Sequence, residues 1–269
     1  MTHDVLRSTA DHDARVSALI LAGRRSGEID PLASVENAPH KALLIAGGKP
    51  LLRRVAEALQ TSKRVSEIRV AAPHDVRDAF TQALAGIDGW AFVDSEASPT
   101  ATVLAAIERL QGEERLLVTT CDHALLNAAI VRDFLNAVGN SDAAAACVEK
   151  EAYRQRFPNS RRTFIRLKDL QFSGANLFYF NGARAKNLAA FWRRLEMKRK
   201  NPAAMAREIG VVTALSYLIG ITTKAGLENT IKRKTGVSVR LTPLDDPQAA
   251  IDVDKPEDLV LVREILALD

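Results

Sequence analysis

Two cysteines in 269 residues, Cys121 and Cys147, are too few and too far apart for a disulfide framework, and neither belongs to a CxxC pair that would suit zinc. Aromatic residues make up only 5%, and no basic tract is interleaved with them. That leaves little from which to build a stacking surface for single-stranded nucleic acid. Apolar runs are short. The longest, 143–148 and 211–221, fall well below the ~20 residues that cross a bilayer, so no transmembrane segment is expected. The first fifteen residues hold His3, Asp4, Asp11, His12 and Asp13 and no apolar stretch. Residues 1–15 are therefore read as a disordered arm rather than a signal peptide, and the chain as cytoplasmic.

What remains is ordinary globular material: 47% hydrophobic and 26% charged residues, with a formal charge of +4. The length suits one large α/β domain, or one domain with an appendage, and is enough to bury a sizeable core. A mild basic excess suits a protein that handles small polyanions and is too weak to argue for nucleic acid.

Strand and helix signals alternate along the first half. Residues 16–21 (VSALIL) read as a buried strand, followed by a long polar loop over 22–40. Residues 42–46 are apolar again, Gly47-Gly48 makes a turn, and Pro50 opens a helix through residue 59. Strands are expected at 67–72, 91–93, 115–119 and 143–148, with helices at 75–85, 100–110 and 127–138 between them. This is the pattern of βαβ units around a mainly parallel sheet, whose ligands sit at the carboxyl ends of the strands. The loops after Leu21, Val93 and Thr120 should therefore converge. The second half changes character: strands at 161–168 and 171–180, then a mostly helical stretch over 191–234, a strand at 237–241 and a last amphipathic helix at 256–266.

Three clusters could carry chemistry. In the first, Leu21-Ala22-Gly23-Arg24-Arg25-Ser26-Gly27 runs from a strand into a glycine-containing loop, with Lys41 to follow. Backbone N–H groups of such a loop can approach a phosphate chain, and Arg24, Arg25 and Lys41 could neutralise it. A solvated basic loop is the plain alternative. The second cluster is Thr119-Thr120-Cys121-Asp122-His123. An aspartate just past a central strand is placed to hold Mg²⁺, or simply to cap the next helix. The third is Ile251-Asp252-Val253-Asp254-Lys255-Pro256-Glu257-Asp258. Here an extended segment puts Asp252 and Asp254 on one face, ahead of a helix whose start favours acids. Asp122 and Asp254 together could clamp one metal ion against phosphate oxygens.

The ordered set LILAGRRSG, HKALLIAGGKPLL, LLVTTCDHALL, FSGANLFYF and IDVDKPEDL resembles the MobA-like nucleotidyltransferases over residues 16–266. The resemblance implies a three-layer, Rossmann-like (GT-A-like) α/β fold with a mainly parallel sheet, and with 191–234 as a C-terminal helical insert in a domain spanning 16–269. It further implies transfer of a nucleoside monophosphate from an NTP to a phosphorylated acceptor: a sugar phosphate, a phospho-alcohol or lipid head group, or a cofactor precursor. Pyrophosphate is released and Mg²⁺ (or Mn²⁺) assists. By position, Leu21, Ala22 and Gly23 resemble the start of the nucleotide loop, Lys41 the phosphate-binding lysine, and Asp122 and Asp254 the metal ligands. Ser98 and Thr100 resemble the segment that touches the base, although a helix cap explains them as well. Gly174 and Asn176 resemble the acceptor-side motif, and Arg162 lies in the arginine-rich stretch facing it. Relatives carry a small residue two positions after the first glycine and an arginine near the position of Gly27; here Arg24 and Arg25 come early and Gly27-Glu28 takes that place, so the loop's charge is assigned to Arg24 or Arg25. A GT-A glycosyltransferase or a catalytically silent nucleotide-binding module are the alternatives; the first is weakened because Thr120, not a carboxylate, stands two residues before Asp122. The insert's apolar centre and basic flanks could rest on a membrane surface or on a second copy, so monomer and homodimer both stay open.

Overall fold

The computed structural model describes residues 15–24, 30–112, 114–182, 184–198 and 201–268. The expected arm lies outside them apart from Arg15, and so does Arg25. Strands β1 (Val16–Leu21), β4 (Val65–Ala71), β5 (Trp90–Val93), β6 (Arg115–Thr120), β7 (Ala143–Glu149), β9 (Gln171–Asn181) and β10 (Val239–Pro243) form one sheet in the order β10-β7-β9-β6-β1-β4-β5, with the short β8 (Ile165–Arg166) paired to β9. Every pairing on this path is parallel except those of β9, which runs antiparallel between β6 and β7. The mainly parallel sheet read from the alternating pattern is therefore present, with one reversed strand inside it.

Both faces of the sheet are covered, which explains why β1 and β6 read as continuous apolar runs rather than alternating ones. On one face, Ala18 and Ile20 of β1 meet Leu52, Val55 and Leu59 of α2 (Leu51–Thr61). The same core takes Phe134 of α5 (Ala128–Ala137) and Val262 of α11 (Pro256–Leu268). On the other face, Leu19, Leu116 and Val118 meet Ile107 of α4 (Pro99–Glu108) and Ala185 and Ala189 of α7 (Ala185–Lys198). The result is a three-layer, Rossmann-like α/β architecture.

Local chemistry sets the boundaries. Gly47 and Gly48, with φ of 55° and 72°, turn the hairpin of β2 (Ile45–Ala46) and β3 (Lys49–Pro50), a backbone that side-chain-bearing residues adopt only under strain. Pro50 precedes α2, and Asn127 caps α5 by accepting from the N–H of Ile130 at 2.9 Å. Two helices lie outside the expected pattern. Within the expected loop, α1 (Pro31–Val35) is a five-residue turn capped by Asp30, and α6 (Lys150–Arg156) has seven residues and no side-chain cap. The expected strand at 161–168 survives only as β8, since only Ile165 and Arg166 pair with β9; ahead of them the side chain of Arg162 reaches Ser173 and Asp252. The helical stretch begins at α7, ahead of residue 191, and continues through α8 (Pro202–Ile209), α9 (Val211–Leu218) and α10 (Lys224–Thr235). A further helix, α3 (Arg77–Ala83), follows β4.

Candidate active site

The carboxyl ends of β1 and β6 lie side by side: the N–H of Cys121 donates to the carbonyl of Leu21 at 3.0 Å. Lys41, at the start of a single 3-10 turn, reaches across this edge. Its Nζ donates to Asp122 Oδ2 at 2.5 Å and to Asp254 Oδ1 at 2.9 Å. Three residues separated by up to 213 positions thus share one point in space. The lysine is mostly buried and so is Asp122. Burial works against the ammonium charge, but the adjacent Asp122 carboxylate overrides it, and the Lys41 pKa is raised. Asp122 does not cap the next helix; Asn127 does that, while the Thr120 hydroxyl donates to Asp122 Oδ1. Nor is Asp254 consumed by helix-start chemistry. That role falls to Asp258, whose Oδ2 accepts from the N–H groups of Asp254 and Lys255 at 3.2 and 2.9 Å.

The residues expected to start a nucleotide loop border this cluster. Ala22 is buried, its N–H donating to the Ala71 carbonyl at 2.9 Å. Gly23 lies against the segment after β5: a Cβ added there would stand 3.2 Å from Ser95 Cβ. The loops after Leu21, Val93 and Thr120 do converge. Arg24 pairs with Asp75, just past β4, so its charge is already matched. Arg25 is outside the described residues. Ser98 is the N-cap of α4, its Oγ accepting from the N–H of Ala101 at 3.2 Å, and Thr100 lies in that helix's first turn.

A second cluster holds the residues assigned to the acceptor side. Arg162 forms an ion pair with Asp252 at 2.7 Å and donates from Nε to Ser173 Oγ at 2.8 Å. Asn176 Nδ2 donates to the same Asp252, at Oδ2, over 3.0 Å. Space is open at Gly174, where a Cβ would meet nothing within 4 Å. Because β9 runs antiparallel, its first half lies at the carboxyl end of β7, and Gly174 and Asn176 reach the same edge as Asp122. In sequence, Asp252 is visible only as half of the Asp252–Asp254 alternation. The structure makes it the hub that joins Arg162 to Asn176.

Two histidines underlie the site. His40 caps the turn that carries Lys41, its Nδ1 accepting from the N–H of Ala42 at 3.0 Å. Burial, and then the nearby Arg24 charge, push its pKa down to about 4. His123 is buried, with Nδ1 3.2 Å from Thr119 Oγ1, and burial lowers its pKa also. Cys121 and Cys147 are buried free thiols whose pKa values burial raises, the latter to about 12. They are inert on these terms.

A doubly wound α/β sheet with a charged cluster at the carboxyl edge of its central strands defines the class: a Rossmann-like protein whose site lies where such sheets place their ligands. The chain belongs to the MobA-like NTP transferase domain family, whose model matches residues 18–211. It is 31% identical over 137 residues to the bifunctional enzyme IspD/IspF of Chelativorans sp. (strain BNC1), a match covering 48% of this chain and 32% of that enzyme. The chain thus spans about a third of that relative's length. Among solved structures, a hypothetical transferase from Thermus thermophilus superposes with a TM-score of 0.76 at 28% identity, covering 91% of this chain and 99% of the other. A 2-C-methyl-D-erythritol 4-phosphate cytidylyltransferase, also from Thermus thermophilus, shares the fold, with a TM-score of 0.53 at 18% identity over 94% of this chain and 99% of that one.

Proposed function

We propose that this chain is a Mg²⁺-dependent nucleotidyltransferase that moves a nucleoside monophosphate from an NTP to a phosphorylated small-molecule acceptor and releases pyrophosphate. The observation that carries the reading is the convergence of Asp122 and Asp254 on one cation, the Lys41 ammonium. Two carboxylates aimed at one point are a hard-oxygen pair, and Mg²⁺ is commonly held by one or two carboxylates together with substrate phosphates. Among the described residues no group of three or more His, Cys, Asp or Glu could hold a metal, so phosphate oxygens and water would complete the shell. Asp122 and Asp254 would hold the ion, which when bound would supply a positive charge to offset charge developing on the phosphates.

The remaining steps belong to the protein. Lys41, freed from the carboxylates, would turn its ammonium to the phosphate chain. Gly23 lets the chain lie close to the backbone. Arg162 and Asn176, held by Asp252, would receive the acceptor's phosphate, with the Arg162 fork suited to bidentate contact. An acceptor phosphate is already nucleophilic, so in-line attack needs alignment and charge neutralisation rather than an activated side chain. Thr120, which donates to Asp122 instead of supplying a carboxylate, leaves a glycosyltransferase-type aspartate pair incomplete.

The test is pyrophosphate release with each common NTP across a panel of phosphorylated acceptors. Turnover should require a divalent cation, and Lys41→Met or Asp122→Asn should lower it ~10²- to 10³-fold, as loss of one preorganised charge does. Turnover unchanged by both substitutions would sink the assignment.

A further inference from the structure

The helices after β9 bear a surface that the site does not use. Helix α7 ends beside the nucleotide side of the crevice, where Glu196 approaches Ser98 Oγ at 3.4 Å. The segment after α9 returns to the acceptor side, where the N–H of Lys168 donates to the carbonyl of Thr222 at 2.8 Å. Between these two points the α8–α9 junction lies beside the last turn of α10, where a Cβ at Gly210 would stand 3.7 Å from Lys234 Cε, so the helical pair packs along α10. On α9 and at the residue that caps its C-terminal end, Val212, Leu215 and Ile219 recur at helical spacing and are exposed, Val212 by 81% and Ile219 by 69%. Leu218, exposed by 77%, and Ile221 widen the stripe. Isolated apolar side chains at a surface are ordinary, but a contiguous apolar face at helical spacing marks a docking surface.

Charge identifies the occupant. Residues 191–234 contain ten lysines and arginines against three glutamates, an excess of seven in a chain whose total excess is four. Two copies joined symmetrically through this face would bring two strongly positive subdomains together, which like-charge repulsion opposes. An anionic lipid surface matches both properties: apolar side chains enter the headgroup boundary while the basic residues meet negative headgroups. We propose that the exposed face of α9 docks the protein on anionic membranes. None of the stripe residues belongs to the candidate site, so the docking is independent of the proposed reaction.

The test is sedimentation of the full chain with vesicles of phosphatidylcholine alone and of phosphatidylcholine mixed with phosphatidylglycerol. Binding is expected to the mixed vesicles only, to weaken in high salt, and to fall at least ~10-fold in the Leu215→Ser/Ile219→Ser variant as its apolar area is lost. Leu218→Ser, a single change at an exposed position, serves as the second variant should the double one fail to fold, and should weaken binding in the same direction. No binding to mixed vesicles, or unchanged binding in the correctly folded variants, overturns the proposal. So does a dimer, detected by light scattering, that the serine substitutions convert to monomer, because the face would then belong to a second copy.

Discussion

Acid should loosen the turn that carries Lys41, and His40 is the reason. Its imidazole is 4% exposed and serves as a cap only when Nδ1 is unprotonated, since that atom accepts from the N–H of Ala42. The folded state holds the pKa at about 4 rather than the ordinary 6.5, through burial and then Arg24. The folded state therefore prefers the neutral ring, and as pH falls below 6.5 the unfolded chain takes up the proton first. This contribution to stability is complete above the unfolded pKa and declines as pH falls from 6.5 toward 4. At ~1.36 kcal/mol per pKa unit, the full shift corresponds to about 3.4 kcal/mol, of which about 2 kcal/mol is lost by about pH 5. That is a large part of a total stability of roughly 5–15 kcal/mol. The comparison is urea unfolding of the unsubstituted chain and of His40→Asn at about pH 8 and about pH 5, the asparagine keeping an acceptor at the cap without titrating. The unsubstituted chain should lose about 2 kcal/mol more than the variant over this interval, because contributions common to both, such as that of His123, cancel. Equal losses in the two proteins would refute the reasoning.

Gly23→Val should raise the KM for the nucleotide, since the added carbons meet Ser95, and Ser95→Gly in the same chain should recover part of the loss; absence of any recovery would remove the steric explanation. Arg162→Lys should raise the acceptor KM about 10-fold by losing the fork geometry, while the nucleotide KM stays put. An equal rise in both would show that Arg162 does not separate the two substrates. Phe134→Ala, in a fully buried position of α5, should destabilise the fold by roughly 3–5 kcal/mol in chemical denaturation without selective loss of either substrate.

The parallel part of the fold is legible in the sequence because buried parallel strands are short apolar runs separated by amphipathic helices, and residues 16–148 repeat that signal. The reversal of β9 is not, since an apolar strand carries no mark of its direction. The helices α1 and α6 fall below the length at which periodicity can be recognised. For the candidate site, the order of motifs singles out Lys41, Asp122 and Asp254, yet nothing local reveals that they share one point, because contacts across 81 and 213 positions depend on strand order. The role of Asp252 is hidden for the same reason: its partners, Arg162 and Asn176, come from β9 and the segment before it. Arg24 reads as free charge in the sequence, but its partner Asp75 follows a different strand.

The last helix anchors one arm of the candidate site. Leu259, Val262 and Ile265 of α11 are buried in the core built by the first part of the chain, and Arg263 ties that helix to Glu36 at 2.7 Å and to the Ile45 carbonyl at 2.9 Å. Asp254 sits on the approach to this clasp. Next to it, Val253 donates its N–H to the Asp122 carbonyl at 3.0 Å, so the segment that enters α11 is stitched to the loop after β6. The pairing of the two carboxylates thus rests on how α11 docks on the core, a contact made well away from the carboxylates themselves.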